Sequence, residues 1–213
     1  MITATSQDSP IPSRAQEVFG FWFFPGYQEE LGRVLSQGKR LWWHSKDGEV
    51  DARIIALFTD DLARASQGLY DNWLASAKGT LAFMILVDQF PRHIYRNDRR
   101  AFNLDALALE TCRKGIARRF DEELEPIQRY FFYLPFMHAE TIDVQRQSVV
   151  LYDELYRTAP QDLKVGVGLV RDAAHRHHEI IQRFGRFPHR NAALSRRTTP
   201  EEEEFLKEPH SSF

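Results

Sequence analysis

The sequence holds a single cysteine, Cys112, among 213 residues, so no disulfide can form within the chain. A reducing compartment is the natural reading. Long apolar runs are also lacking. The longest stretch, Leu81 to Val87, falls far short of the ~20 residues that a membrane-spanning helix needs. The start, Met1-Ile2-Thr3-Ala4-Thr5-Ser6, has no basic segment followed by an apolar one, which argues against a signal peptide and for a cytoplasmic location. Neither sign of charge dominates: 28 Lys and Arg stand against 30 Asp and Glu, a net charge of -2. Nothing in that balance marks a nucleic-acid or acidic-membrane partner. The phosphate-binding and nucleophile signatures G-x-x-x-x-G-K-[ST], G-x-G-x-x-G and G-x-S-x-G are absent, as is H-E-x-x-H. Low-complexity segments and an internal repeat are absent too.

Aromatic residues are plentiful: 16 Phe, 7 Tyr and 4 Trp. Each buried aromatic withdraws about 150–250 Å² from water, so one well-filled core is within reach of a chain this long. Residues 1–12, with Pro10 and Pro12, read as a flexible lead-in, and residues 13–213 as one helical domain.

Helical periodicity runs through the chain and no segment alternates over a strand length. Ser13 and Gln16 have capping-box spacing, which predicts a helix from Arg14 past Val18 and Trp22 to Pro25-Gly26. Ile54, Leu57, Phe58, Leu62 and Ala65 form a second stripe. Lys78 to Phe90 is apolar nearly all round, and Pro91 should end or kink that helix. Asn97 to Arg119, Pro126 to Leu134, Asp143 to Leu155 and Leu163 to Phe184 complete the main set, and Pro135 should interrupt its segment. A last short helix follows Thr199-Pro200-Glu201-Glu202, where the acids from Glu201 to Glu204 read as a solvated first turn. The expectation is an all-α array of about seven main helices in antiparallel pairs. Trp22, Trp42 and Trp43 read as packing residues rather than base-stacking platforms.

Three polar clusters sit on or beside apolar helices. In Asp88-Gln89-Phe90-Pro91-Arg92, followed by Arg96, a carboxylate on an apolar helix needs a partner, and either Arg92 or Arg96 can supply one. In Pro135-Phe136-Met137-His138-Ala139-Glu140, a proline stands just before a histidine. The third cluster is the densest: His175-Arg176-His177-His178-Glu179, then Phe184-Gly185-Arg186-Phe187-Pro188-His189-Arg190-Asn191. Val170, Ala174, His177, Ile181 and Phe184 share a helix face, so His177 points inward. Gly185 is placed to end that helix, leaving Arg186, His189, Arg190 and Asn191 on the following loop. Guanidinium groups there suit an anion, or else they neutralise helix-end carbonyls and neighbouring acids. The histidines fan round the helix, so no metal site is expected, and nothing calls for a cofactor. Cys112 lies on an apolar stripe and reads as core.

These same residues carry a resemblance. The Asp88–Arg92 run with Arg96, Leu134-Pro135-Phe136 with His138 and Glu140, and Phe184 to Asn191 resemble a family of uncharacterised bacterial proteins, from about Val18 to Leu206. The family is a domain of unknown function whose helical fold is similar to tetratricopeptide-repeat proteins. Its pattern also takes in Trp43, Asp51, Phe58, Asp105, His177 and Thr199 to Glu202. The chain departs from it at His93, Ala139 and Ser195, where the family usually has Asn, Ser and Gly. The resemblance implies a fold, and no activity comes with it.

The functional expectation is a concave pocket for a small anion, a phosphate ester or carboxylate. Arg92, Arg96, Arg186, His189, Arg190 and Asn191 would bind it. His177 or His138 would be the acid–base group, oriented by Glu140 or Asp88. No nucleophile is evident, so no reaction is assigned. Two rival readings are a non-catalytic scaffold that binds a peptide or protein, and a buried polar network that fixes helix register.

Overall fold

The computed structural model describes residues 11–30, 48–209 and 211–212. Trp42, Trp43 and most of the expected lead-in lie outside the described residues. The protein is all-α: among the described residues there is no strand. The α-helices are α1 (Ser13–Trp22), α2 (Gly48–Ser66), α3 (Ala77–Met84), α4 (Phe90–Ile94), α5 (Asp105–Ala117), α6 (Pro126–His138), α7 (Ile142–Thr158), α8 (Lys164–Phe184) and α9 (Pro200–Phe205). Short 3-10 turns link several of them, and no described helix is long and apolar enough to cross a membrane.

Two prolines stand inside helical rods. Pro91 does not end its rod. A wide π turn, Ile85–Gln89, joins α3 to α4, and the Phe90 N–H bonds the Ile85 carbonyl five residues back. A proline removes one donor and crowds the carbonyl four residues earlier, and the wider turn absorbs that crowding. Pro135 likewise fails to break α6, which continues to His138. Side chains from neighbouring helices serve the carbonyls around it. Cys112 Sγ donates to the Phe132 carbonyl at 2.8 Å, Tyr152 Oη to Tyr130 at 3.0 Å, and Gln145 Nε2 to both Met137 and Ala139 at 2.7 Å. These contacts tie α6 to α5 and α7 on both sides of the proline.

Caps act as the local sequence dictates at some ends only. The Thr199–Glu202 capping box opens α9, and Gly185, at φ +68°, closes α8 in the left-handed conformation that glycine adopts without strain. The Ser13–Gln16 pair does not cap α1. Pro12 holds the cap position, and Gln16 Nε2 donates to the Ile11 carbonyl at 2.7 Å.

The core gathers Trp22, Phe58, Phe90 and Phe131. Phe58 stacks on Phe90 at 4.7 Å between centroids, and Trp22 meets Phe90 and Phe131 at 5.6 and 5.5 Å. Helices α7 and α8 pair antiparallel, with Asp153 against His175 and Tyr156 against Arg171. A smaller apolar cluster of Ile180, Ile181, Phe187 and Phe205 fastens the C-terminal segment to α8.

Candidate functional site

The π turn places Asp88 on a wall of apolar side chains, with only 1% of its surface exposed. A carboxylate there must be fully partnered. His138, the last residue of α6, meets it Nδ1 to Oδ1 at 2.8 Å, and Gln89 Nε2 donates to its other oxygen. Arg92, one turn on, lies 3.5 Å away. Burial pushes the Asp88 carboxyl up, but the Arg92 charge and the His138 and Gln89 hydrogen bonds outweigh it and hold the group well below the usual range. Burial and the Arg92 charge push the His138 imidazole down. The pair is therefore carboxylate plus neutral imidazole. The Nδ1 proton points at Asp88, and Nε2 carries a lone pair.

Arg92 extends the chain of contacts. Its Nη1 donates to the Asp88 and Ala101 carbonyls, at 2.6 and 3.3 Å, and to Asp105 Oδ1 at 3.0 Å. Asp105 opens α5, and its other oxygen takes a long 3.4 Å contact from Arg190 Nη1. That is the one hydrogen bond of the Arg190 guanidinium among the described residues, and its Nε has none. Instead the guanidinium carbon lies against two rings, 4.7 Å from the Phe102 centroid and 4.6 Å from that of Phe187. Arg190 is only 6% exposed. Burial, incompletely opposed by Asp105, pulls its pKa down to about 10, far below that of a normal arginine.

Two more neutral imidazoles border this group. His177 on α8 donates from Nδ1 to the Ala173 carbonyl at 2.7 Å and packs edge-on against Phe187. Burial brings its pKa to about 3. Burial and the Arg190 charge take His189 to about 3 as well.

The remaining expected residues have other partners. Glu140 accepts the Phe187 N–H at 2.8 Å and both arms of Arg196, at 2.9 and 2.6 Å, which fixes the loop that carries Arg190. Glu140 is thus committed to that loop, and Asp88 is the carboxylate that orients His138. Arg186 donates twice to Glu202, at 2.7 and 2.9 Å, and Asn191 once, at 3.1 Å. Glu202 is therefore buried and holds α9 in place. Its pKa falls to about 2 through Arg186, and the solvated first turn expected at that position is corrected. Arg96 joins a separate group, bidentate to Asp51 at 2.8 and 2.7 Å beside His93. Among the described residues no group of three His, Cys, Asp or Glu could hold a metal ion.

Sequence reading gave Phe102 no role, since a lone phenylalanine after two arginines looks like any core residue. Asp105 came only through the family resemblance, although an acid at a helix start carries a signal of its own.

The comparisons with known proteins agree with this fold. The family model described as "Bacterial protein of unknown function (DUF924)" matches residues 18–210. A solved structure of a protein of unknown function from Agrobacterium tumefaciens is 34% identical, with a TM-score of 0.78 over 94% of this chain and 100% of that one. No curated protein matches significantly. The chain belongs to the DUF924 family of bacterial proteins of unknown function.

Proposed function

We propose that the Asp88–Arg92–Asp105–Arg190 group with His138 is the binding site of a small anion, a phosphate ester or a carboxylate. One observation carries this reading: Arg190 is a buried cation with a single long hydrogen bond and a donor left unserved. A buried guanidinium normally satisfies its fork of donors, and leaving them unmade costs about 1–3 kcal/mol or more for a charged group. A ligand oxygen at its edge would restore what burial removed. Arg92 supplies the second charge. Its Nη2 has only the 3.5 Å contact with Asp88.

Within this reading His138 is the acid–base group. Asp88 fixes its tautomer, and its neutral state leaves Nε2 ready to accept a proton. His177 is the second imidazole. Arg186, Asn191 and Glu140 act through the loop that holds Arg190. No nucleophile stands with these groups, so the proposal is a binding site with one oriented base, and no reaction class is assigned.

Thermal unfolding with inorganic phosphate, acetate and glycerol phosphate tests it, with chloride at equal ionic strength as the reference. A ligand at 100 times its dissociation constant adds about 2.7 kcal/mol, which raises the melting temperature by roughly 5–10 °C at this chain length. Arg190→Lys keeps the charge and loses the fork. It is expected to abolish the response while the variant stays folded. No response in the parent protein, with Arg190→Lys melting well below the parent, would leave the group as a structural network and favour the scaffold reading.

A further inference from the structure

Asp105 stands between the two arginines of this site. Its Oδ1 accepts from Arg92 Nη1 at 3.0 Å and its Oδ2 from Arg190 Nη1 at 3.4 Å. One carboxylate is thus divided between two guanidinium forks and serves neither fully. Arg92 Nη2 and Arg190 Nε are buried without a hydrogen bond among the described residues. A guanidinium holds a carboxylate best through two parallel N–H groups of one edge, and a bridging carboxylate cannot offer that to both sides.

The tether of Asp105 explains the poor fit. It is the first residue of α5, a helix anchored in the core by Ala108 and Cys112, and its side chain is short. Its carboxylate stops 3.4 Å from Arg190, whose guanidinium is itself fixed between the Phe102 and Phe187 rings. A carboxylate on a separate molecule has no such restraint and can turn to take both N–H groups of an edge.

Three features suit this seat to an exchange. Solvent reaches it: the Arg92 and Asp105 side chains are 21% and 20% exposed, whereas Arg190 and Asp88 are buried. Among the described residues no side chain caps α5, so the first-turn N–H groups of that helix favour a carboxylate that has left the arginines. Charge balance points to the ligand. Asp88 and Asp105 offset Arg92 and Arg190 beside neutral imidazoles, and replacing one carboxylate by another leaves that balance intact. A dianion would leave a buried excess of negative charge.

We propose that Asp105 occupies the seat of a ligand carboxylate between Arg92 and Arg190, and swings aside when the anion of a small carboxylic acid takes its place. This rests on the anion-site reading above and narrows the ligand to carboxylates. Asp105 is then a specificity-determining residue. It keeps the two cations paired in the unliganded protein and yields only to an anion that fits the forks better.

Calorimetric titration with acetate and with inorganic phosphate, at pH 7 and constant ionic strength, tests this in the parent, Asp105→Ala and Asp105→Asn. Removing the competing charge is expected to tighten acetate about tenfold in both variants, the size of one charge-assisted contact. In chloride, Asp105→Ala should melt below the parent, because two buried arginines have lost their shared counter-ion. Acetate should restore it at concentrations that leave the parent unmoved. Asp105→Asn keeps the side-chain size and carries the test if the alanine variant does not fold. Acetate binding no tighter in the variants than in the parent would overturn the exchange and make Asp105 a structural tie, with the anion site still upheld by any parent response. Phosphate binding tighter than acetate in the variants would overturn the carboxylate class. No response to either anion in all three proteins would overturn both readings.

Discussion

At the scale of single residues, the buried imidazoles decide how the protein responds to acid. His177 is held neutral by burial, with a pKa of about 3 against 6.5 in the unfolded chain. As pH falls, the unfolded chain takes up this proton first. The contribution to stability is therefore complete above pH 6.5 and drains away between pH 6.5 and 3. Between pH 7 and pH 5 this one group costs about 2 kcal/mol of stability. His138 and His189 are shifted the same way and add to the loss, while Arg190 faces the same cluster. His177→Gln keeps a donor for the Ala173 carbonyl and removes the titration. Urea unfolding at pH 7 and pH 5 is expected to show a loss about 2 kcal/mol smaller in this variant. An identical loss would mean that His177 is not held neutral. Sequence periodicity showed that His177 faces inward. The size of its shift depends on Phe187, His138 and Arg190, which are distant in the chain, and no local pattern reports them.

At the scale of elements, one close approach sets how α3 begins. A Cβ on Gly79 would fall well inside contact distance of the Trp73 carbonyl oxygen and 2.9 Å from Ser76 Oγ. Ser76 caps α3 by accepting the Gly79 N–H, so the collision lies in the first turn of the helix that leads to Asp88. Backbone of the preceding 3-10 turn, Asp71–Ala75, cannot yield as a flexible side chain can. Gly79→Ala should cost about 2–3 kcal/mol. Gly20 on α1 has open space around its Cβ direction, and Gly20→Ala should stabilise by about 0.5–1 kcal/mol. Chemical denaturation of the two variants should move in opposite directions, and destabilisation by both would refute the packing argument. Helix positions were legible at this scale because apolar period and caps are local. The paths through Pro91 and Pro135 were not. Proline predicts an end, a kink or an interruption, and whether a rod continues depends on the wider turn before Pro91 and on the packing that buries α6 around Pro135.

For the whole molecule, a few ion pairs join the small C-terminal cluster to the main body. Glu202 receives Arg186 and Asn191, Glu140 receives Arg196 and the Phe187 N–H, and Asp105 receives Arg92 and Arg190. Removing one partner of a buried pair leaves the other charge unmatched, at a cost of about 3 kcal/mol where one member stays partly solvated, as Arg186 does. Glu202→Ala should lower the melting temperature by roughly 6–12 °C in a chain of this length. Unfolding should stay a single transition, because the C-terminal segment and the Arg190 loop are fastened to the same helices. A second, earlier transition in Glu202→Ala would show instead that the C-terminal cluster unfolds on its own.

The sequence by itself determined the all-α class, the inward face of α8, its end at Gly185 and the cap of α9, because each follows from contacts within a few residues. It also named most of the polar residues that the structure gathers, since charge on an apolar helix face is conspicuous wherever it occurs. Only the tertiary structure decided who pairs with whom. Asp88 could have taken Arg92 or Arg96 by spacing alone. The fold gave it Arg92 and His138, and gave Arg96 to Asp51. Glu140 and Asp88 were equal candidates to orient a histidine until Arg196 and the Phe187 N–H occupied Glu140. The sparsely bonded state of Arg190 likewise belongs to no segment. It arises where α5, the Phe102 turn and the loop after α8 meet, and the balance of burial against hydrogen bonding there is a property of their packing.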